Sequence, residues 1–167
     1  MKLYRYVGPK VIADRVRTTS IGMPIGSADD VRAWVRDTRQ ELSAGSVIAT
    51  FVVAADGILR VADRHSEHVA CAGGQPVRAA GEITFSLGRT VEVVEVSNQS
   101  TGYCPEPESW PAVAVSLVAA GLPSPDGLTL ACKYRRCEAC QGLNLVKDQD
   151  FECGMCGADL PLNYNVQ

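Results

Sequence analysis

The 167 residues are enough for one domain of ordinary size with a small appendage. A hydrophobic content of 46% beside 21% charged residues is typical of a chain with its own core and excludes wholesale disorder. The formal net charge of −3 is not that of an autonomous nucleic-acid-binding domain, and no apolar run approaches the ~18 residues of a membrane-spanning helix.

Two features of the sequence suggest a compartment. The first seven residues lack the apolar core of a signal peptide. Seven cysteines, four of them with the spacing of metal ligands, are typical of a reducing cytosol rather than of a disulfide framework. We therefore expect a cytoplasmic protein, and the excess of twelve arginines over four lysines suggests a bacterial one.

The first long element in chain order is a helix that follows Ser27. Ser27 and Asp30 have the spacing of a capping box, and apolar side chains recur on one stripe through residues 31–42. The helix is expected to end at Gly45. The preceding segment, residues 22–26, is predicted to be a loop because of its glycine and proline content.

Two β-hairpins are predicted next. Residues 47–54 and 58–62 are rich in apolar residues and flank an Asp-Gly turn, and residues 81–86 and 90–97 flank a second turn. In the last of these strands the apolar residues fall out of strict alternation after Val93. That slip predicts a β-bulge.

A second helix is expected to begin at Ser109, which we assign as its N-cap. Residues 112–120 are apolar on nearly every side, which predicts a helix buried against the sheet. After a linker, a predicted strand at 128–134 leads into the cysteine-rich segment without a flexible break. We therefore divide the chain into an α+β domain, residues 1–131, and a zinc ribbon fixed to it, residues 132–167.

Two C-x-x-C pairs separated by twelve residues form the most specific motif of the chain. Their cysteines are Cys137, Cys140, Cys153 and Cys156. Four thiolates suit the tetrahedral coordination of Zn²⁺, and this spacing is typical of a zinc ribbon. A structural zinc ion is the predicted cofactor, with a redox-active dithiol pair or two disulfides as alternatives. Between the pairs, residues 143–146 and 151–152 are expected to form a hairpin.

The candidates for catalysis lie in two polar segments, residues 63–71 and 97–105, each of which follows a predicted hairpin. The candidate residues are His65, Glu67, Asn98 and Ser100. Segment 63–71 holds both histidines of the chain, and imidazole can transfer protons near neutral pH. If the hairpins are neighbours, His65 and Asn98 should lie about 10 Å apart. The alternative is that these side chains satisfy turns.

Two further catalytic interpretations are disfavoured by neighbouring residues. His65-x-Glu67 with a later C-x-x-C is shared with zinc deaminases, but a closed shell of four cysteines leaves no metal position for a water. Cys104 could be a nucleophile with His65 as its base, but a proline follows it and no helix begins there to lower its pKa. We expect Cys71, Cys104 and Cys132 to be small buried residues.

Two stretches resemble known families. Residues 132–160 resemble the rubredoxin-like zinc ribbons in ligand spacing, which implies a rigid small domain or a docking surface. Residues 63–105 are similar to a β-module of uncharacterised bacterial proteins, some of which carry toxin-type domains. The second resemblance rests on His65-Ser66, Pro76-Val77, Ala80-Gly81-Glu82, Ser97-Asn98 and Ser100-x-Gly102-Tyr103-x-Pro105. It implies no activity but favours His65, Glu82, Asn98 and Ser100 as site residues.

Together these observations predict an α+β fold, in which a mostly antiparallel twisted sheet of hairpins is packed by two helices and followed by a C-terminal zinc ribbon. We expect a zinc-binding cytosolic protein that acts as a binding or accessory module. Its partner would be a protein or a small molecule rather than nucleic acid or a membrane. A hydrolase or transferase that uses His65, Glu67, Asn98 and Ser100 is the alternative.

Overall fold

Five antiparallel strands form the central sheet of the molecule. The computed structural model describes residues 1–17 and 20–167. The strands of the central sheet are β1 (Met23–Ile25), β2 (Ser46–Ala54), β3 (Leu59–Asp63), β4 (Val77–Leu87) and β5 (Val91–Val96), in the spatial order β1-β3-β2-β4-β5. The helices are α1 (Lys10–Ala13), α2 (Ala28–Asp37), α3 (His68–Cys71) and α4 (Trp110–Ala119). A second sheet contains β6 (Lys133–Arg136) and β7 (Leu143–Val146), so the predicted α+β fold is confirmed.

Both predicted hairpins are present and share the central sheet. β2 pairs with β3 and with β4, and β4 pairs with β5, all antiparallel. The register between β4 and β5 shifts after Thr84, which faces Glu95, whereas the next residue, Phe85, faces Val93. Val94 is therefore the extra residue, and the predicted bulge is confirmed.

At residues 22–26 the structure differs from the prediction, because the expected loop contains the short strand β1. This strand lies at the edge of the sheet and pairs with β3, with Pro24 opposite Arg60. An edge strand tolerates proline, since the missing N–H can face away from the ladder. Glycine and proline content alone therefore does not distinguish a loop from an edge strand here.

Helix α2 begins as predicted but ends early. Ser27 is extended, with φ −162° and ψ 167°, so its Oγ accepts a hydrogen bond of 3.2 Å from the backbone N–H of Asp30. The helix ends at Asp37, well before the expected residue 45. Arg39 adopts a φ of 54°, a left-handed conformation that terminates helices, and Leu42 is consequently exposed rather than buried.

Helix α4 continues directly from a 3₁₀ turn, Pro107–Ser109, and this changes the role of Ser109. Ser109 has helical backbone angles, φ −74° and ψ −13°, and its hydroxyl makes no capping bond. A capping serine needs an extended backbone, as at Ser27, so the predicted cap at Ser109 is wrong. Its Oγ is buried with no hydrogen-bond partner among the described residues.

The central sheet is buried on both faces. Helices α2 and α4 cover one face, above a core that includes Trp34, Phe51 and Leu117. The other face packs against α3 and the N-terminal segment through a cluster that includes Tyr4 and Val52. Because adjacent residues of a strand point to opposite faces, β2 supplies side chains to both cores. Burial of each large apolar side chain stabilises the folded state by about 1.5–3 kcal/mol. No helix in the described part of the chain is both long enough and apolar enough to cross a bilayer.

The chain that leaves β5 passes directly over β4. A Cβ atom at Gly81 would overlap the carbonyl oxygen of Ser97, so only glycine permits this crossing. Two hydrogen bonds hold the crossing in place, because Ser97 N donates to Glu82 O at 2.9 Å and Glu82 N donates to Ser97 Oγ at 3.3 Å. Segment 97–105 is thereby fixed against the middle of the sheet.

The second sheet joins the residues on either side of the first cysteine pair. β6 pairs antiparallel with β7, with Tyr134 opposite Leu145. The expected pairing of residues 143–146 with 151–152 is therefore wrong, and the return segment instead bridges to Asp159 through Glu152. The partner of β7 was missed because the strand expected at 128–134 begins at Lys133, beside the cysteines.

The ribbon, residues 132–167, packs against the rest of the chain through an apolar cluster. Its residues Cys132, Tyr134 and Val166 are buried together with Cys104 of segment 97–105. The Tyr164 hydroxyl donates a hydrogen bond of 2.9 Å to the carbonyl of Cys104. Contacts of this kind cross the domain boundary between residues 131 and 132, which stays a prediction.

Candidate metal centre

Two backbone turns of the same shape present the four cysteines. In the first, Gln141 N donates to Cys137 O at 2.9 Å, and in the second, Gly157 N donates to Cys153 O at 2.8 Å. Gln141 and Gly157 occupy equivalent positions and both have positive φ angles, 63° and 73°. Each turn folds back so that its two sulfurs face one point. The first turn is the tip of the β6–β7 hairpin, which fixes its position.

The four sulfurs form a compact group of the size that one metal ion requires. All four lie within 4.8 Å of one another. The Sγ atoms of Cys137 and Cys156 are 3.6 Å apart, as are those of Cys140 and Cys153. A tetrahedron with metal–sulfur bonds of about 2.3 Å has edges of about 3.8 Å. The arrangement therefore matches a tetrahedral site made of four cysteines.

Hydrogen bonds to Cys153 favour its ionised form. The backbone N–H of Met155 and the side-chain amide of Asn144 both donate to its sulfur at 3.4 Å. The Met155 N–H is the main reason that the pKa of Cys153 falls to about 6. Asn144 also accepts a bond of 3.0 Å from Gly154 N, so it orients the second turn as well as the sulfur.

Cys140 and Cys156 resist ionisation because desolvation and hydrogen bonds to neighbouring sulfurs favour their neutral forms. The backbone N–H of Ala158 favours the thiolate of Cys156, but the adjacent Cys137 and Cys140 raise the pKa of Cys156 to about 12. The pKa of Cys140 is also raised, although the Gly142 N–H favours its thiolate. Four thiolates can share this volume only around a cation, so binding of a metal ion would release protons.

The centre is partly exposed, and its ligand set is closed. Cys137 and Cys153 are buried, whereas Cys140 and Cys156 face solvent. Four protein ligands complete a tetrahedral shell and leave no position for a metal-bound water. The geometry therefore suits a structural metal ion rather than a catalytic one.

The three other cysteines are free and buried. Burial raises the pKa of Cys71 and of Cys104 to about 12, and it raises the pKa of Cys132 as well. At neutral pH these thiols are protonated and poor nucleophiles. They occupy apolar clusters as small hydrophobic residues, and Cys104 has no feature of a catalytic thiol.

His65 and Glu67 lie on the surface at the end of β3. His65 is exposed, and its backbone N–H donates to the Asp63 carboxylate at 2.8 Å in a local turn. Its side chain lines a shallow depression between this turn and the chain that follows α2. Glu67 lines a different depression, near Pro9 in the N-terminal segment.

Asn98 and Ser100 are buried and have structural partners. The Asn98 amide donates to Pro105 O and to Cys132 O, each at 2.8 Å, and its Oδ1 accepts from Cys132 N at 2.6 Å. Ser100 Oγ accepts from Tyr103 N at 3.3 Å. The structure therefore does not bring the four predicted side chains into one cavity. Asn98 instead ties segment 97–105 to the start of the ribbon, and the predicted catalytic roles stay predictions.

The two polar segments do meet, and of the four predicted site residues Ser100 lines the cavity between them. A cavity of about 220 Å³ is lined by His68, Glu82 and Ser100, with other residues of both segments. The Nε2 atom of His68 lies 2.9 Å from the carbonyl oxygen of Gly81. Because a carbonyl can only accept, Nε2 carries the proton. Burial lowers the pKa of His68, while Glu82 and Glu67 act in the opposite direction, so the ring is neutral at pH 7.

Sequence reasoning missed two residues of the ribbon. Asn144 holds the second turn, and its signal was a polar residue inside the otherwise apolar run Leu-Asn-Leu-Val. Arg135 is 6% exposed, donates to the carbonyls of Pro161 and Leu162, and lies over the ring of Phe151. Nothing in the local sequence distinguishes Arg135 from a surface arginine.

Comparisons with known protein families, with curated proteins and with solved structures found no match to this chain.

Proposed function

We propose that this protein is a zinc-stabilised binding module, in which Cys137, Cys140, Cys153 and Cys156 hold one structural Zn²⁺. The observation that carries the proposal is the group of four sulfurs, whose spacing matches a tetrahedral Cys₄ site. Free thiols elsewhere in the chain fit a reducing compartment such as the cytoplasm.

Metal analysis tests the first part of the proposal. We expect one equivalent of zinc per chain after purification without chelator, and colourless protein. One equivalent of iron, with visible absorption from thiolate-to-iron charge transfer, would replace the structural role by a redox one. No stoichiometric metal in reduced protein would end the proposal. As a matched pair, Asn144→Ala should weaken zinc binding about 10–100-fold, whereas Asn163→Ala, at an exposed position beyond the second cysteine pair, should not.

The ribbon offers the surface that we assign to a protein partner. Residues 137–160 carry five exposed carboxylates and one lysine, and four thiolates around Zn²⁺ add two more negative charges. Three cations precede this stretch, of which Lys133 is exposed, Arg136 is half-buried and Arg135 is buried. Met155 is 73% exposed at the tip of the second turn and lies over Gly142 of the first. An adaptable apolar side chain on a segment rich in carboxylates fits a partner surface that combines basic and apolar side chains.

Cross-linking on intact protein can test that surface. A photoreactive group at position 138 should capture one specific partner, and Met155→Gln should reduce its recovery at least tenfold. The matched control is Val118→Gln, an exposed apolar residue of α4, which should leave recovery unchanged. Equal recovery from the two variants would remove the ribbon as the docking surface.

The second candidate, a hydrolase or transferase, rests on the cavity shared by His68, Glu82 and Ser100. The neutral His68 ring has an unprotonated Nδ1 that could accept a proton. The two histidines provide matched variants, because His65 lines a different depression. This candidate requires His68→Gln to abolish, and His65→Gln to retain, hydrolysis of an activated ester such as p-nitrophenyl acetate. Equal rates in both variants would remove it.

A further inference from the structure

We propose that a cage of two tyrosines and one glutamate binds a small quaternary ammonium ion, which takes the place of the Lys2 side chain. The aromatic walls are the rings of Tyr4 and Tyr164, whose centroids are 6.3 Å apart and whose planes are nearly perpendicular, at 89°. Glu106 supplies a carboxylate beside them. Aromatic ring faces attract quaternary ammonium ions through the negative charge of their π-systems, and a carboxylate adds to that attraction.

The ammonium group of Lys2 marks the position at which a cation contacts all three walls. Its Nζ lies 4.0 Å from the centroid of the Tyr164 ring and 4.9 Å from that of the Tyr4 ring. The same atom is 3.0 Å from Oε2 of Glu106. Both rings are within the distance of about 6 Å at which a cation is attracted to an aromatic face. The cage is therefore a complete cation site, occupied by a side chain of the protein itself.

The aromatic walls are held in place by bonds that do not involve Lys2. Tyr4 exchanges two backbone hydrogen bonds with Val77 of β4, at 2.7 and 2.9 Å. The Tyr164 hydroxyl donates to the carbonyl of Cys104 at 2.9 Å. We therefore expect the two rings to keep their positions when the lysine side chain leaves.

The lysine is attached to the cage through its side chain alone. Residues 1–3 lie outside the helices and strands, and in the described part of the chain their backbone makes no hydrogen bond. The side chain of Lys2 is 47% exposed. A group tethered in this way competes with an external ligand at an effective concentration of about millimolar. A small cation at that concentration or above can therefore replace it.

The charge and space around the cage favour a quaternary ion over a primary one. Burial raises the pKa of Tyr4, and the negative charges of Glu106 and Glu108 act in the same direction, so the ring lies near two carboxylates. A cavity of about 140 Å³, lined by Lys2, Tyr4 and Glu108 among others, adjoins the cage and gives room for methyl groups. A primary ammonium group is strongly hydrated, whereas a methylated one loses less hydration when it packs against aromatic rings.

The test is a titration of the isotope-labelled full chain, monitored by the backbone amide resonances of Tyr4 and Tyr164. Tetramethylammonium chloride, ammonium chloride and the uncharged analogue tert-butanol are added at constant ionic strength. We expect saturable shifts with tetramethylammonium, weaker binding of ammonium and no saturable shifts with tert-butanol. Equal binding of tert-butanol, or ammonium binding as tightly as tetramethylammonium, would overturn the proposal.

Variants of the occupant test the exchange. Lys2→Ala should bind tetramethylammonium several-fold more tightly than the wild type, because the tethered competitor is gone. The matched control is Lys10→Ala, which removes an exposed lysine of α1 that pairs with Asp14 at 2.7 Å and should not change the affinity. No saturable binding to Lys2→Ala, or equal affinities of Lys2→Ala and the wild type, would overturn the proposal.

Variants of the walls, made in the Lys2→Ala protein, test the cage. Tyr164→Leu should abolish binding of tetramethylammonium, whereas Tyr164→Phe keeps an aromatic face and should retain it. Glu106→Gln should weaken binding several-fold, and its matched control Asp14→Asn should not. If Tyr164→Leu folds poorly, the Glu106→Gln and Asp14→Asn pair still decides, because both positions carry carboxylates of N-terminal lysine ion pairs. Unchanged affinity in Glu106→Gln or in folded Tyr164→Leu would overturn the proposal.

Discussion

The central sheet and the cysteine-rich ribbon bury very different amounts of apolar surface. The core beneath α2 and α4 contains twenty buried hydrophobic residues, whereas the cluster around the cysteine site contains Cys137, Cys153 and Leu160. A unit of about 35 residues with so small a core is below the size at which hydrophobic burial alone gives a stable fold. We therefore expect the two regions to depend on different forces, apolar burial in the sheet and metal binding by the four cysteines in the ribbon. The junction at Asn98 decides how far they act as one unit.

Loss of a metal ligand should separate the two regions most strongly. Cys153→Ser should abolish metal binding and unfold residues 133–160, since structural zinc supplies about 10–16 kcal/mol in small zinc domains. Hydrogen exchange should show lost protection in β6 and β7 and retained protection in β2 and β4. The wild type with chelator is the matched control and should behave in the same way. Complete collapse of the far-UV circular dichroism to that of a coil would show that the two regions fold as one.

A cavity created in the main core should have the opposite effect, with the sheet destabilised and metal binding retained. Phe51 is fully buried in β2, so Phe51→Ala should lower the free energy of unfolding by about 3–5 kcal/mol. The native variant should still bind one equivalent of metal, because Phe51 and the cysteines belong to separate apolar clusters. Val94→Ala, at the exposed bulge, should change stability by less than about 0.5 kcal/mol in the same urea titration. A loss of metal from folded Phe51→Ala would contradict independent stabilisation.

The junction should respond to Asn98→Ala. This change removes three hydrogen bonds and leaves the carbonyls of Pro105 and Cys132 and the N–H of Cys132 buried without partners, at a cost of about 2–4 kcal/mol. Urea unfolding followed by a probe in each region should then show two transitions instead of one. The neighbouring exposed Gln99→Ala is the control and should preserve a single transition. Coincident transitions in Asn98→Ala would show that apolar packing alone couples the regions.

A smaller effect should appear in the pH dependence of the free energy of unfolding of the main sheet. Burial lowers the pKa of His68 in the folded state, so the unfolded chain binds the proton more tightly. The free energy of unfolding should therefore fall as the pH decreases below about 6.5, the ordinary pKa of histidine. His68→Gln should remove this part of the slope, and His65→Gln, at an exposed position, should retain it. An unchanged slope in His68→Gln would assign the effect to other groups.

The features that could be predicted from the sequence are those that depend on residues close together in the chain. The capping box at Ser27 and the phase slip after Val93 involve only adjacent positions, and both are confirmed. The cysteine spacing predicted the metal-sized cluster because each C-x-x-C turn is itself a local structure. Each of these features can be derived from a window of a few residues.

Features that depend on distant partners could not be predicted in this way. Asn98 acts through Cys132, which is 34 positions away, and Arg135 acts through Leu162, 27 positions away. The failed cap at Ser109 depends on the 3₁₀ turn that precedes it, which the sequence does not announce. Sequence reasoning correctly singled out Asn98 as unusual, but only its partners show that the amide has a structural use.

The contact between Gly81 and Ser97 sets a limit on how this chain can vary. Since even an alanine methyl at position 81 would overlap a backbone oxygen, saturation mutagenesis should find no tolerated substitution there, in contrast to Gly127, around which the structure leaves open space. A distant relative with the same crossing should therefore have glycine at this point, an asparagine at the position of Asn98, and the two cysteine pairs in that order. The glycine, the asparagine and the two cysteine pairs, in this order and at any spacing, therefore define a pattern for finding such relatives. The pattern comes from the geometry of the fold and does not depend on overall sequence similarity.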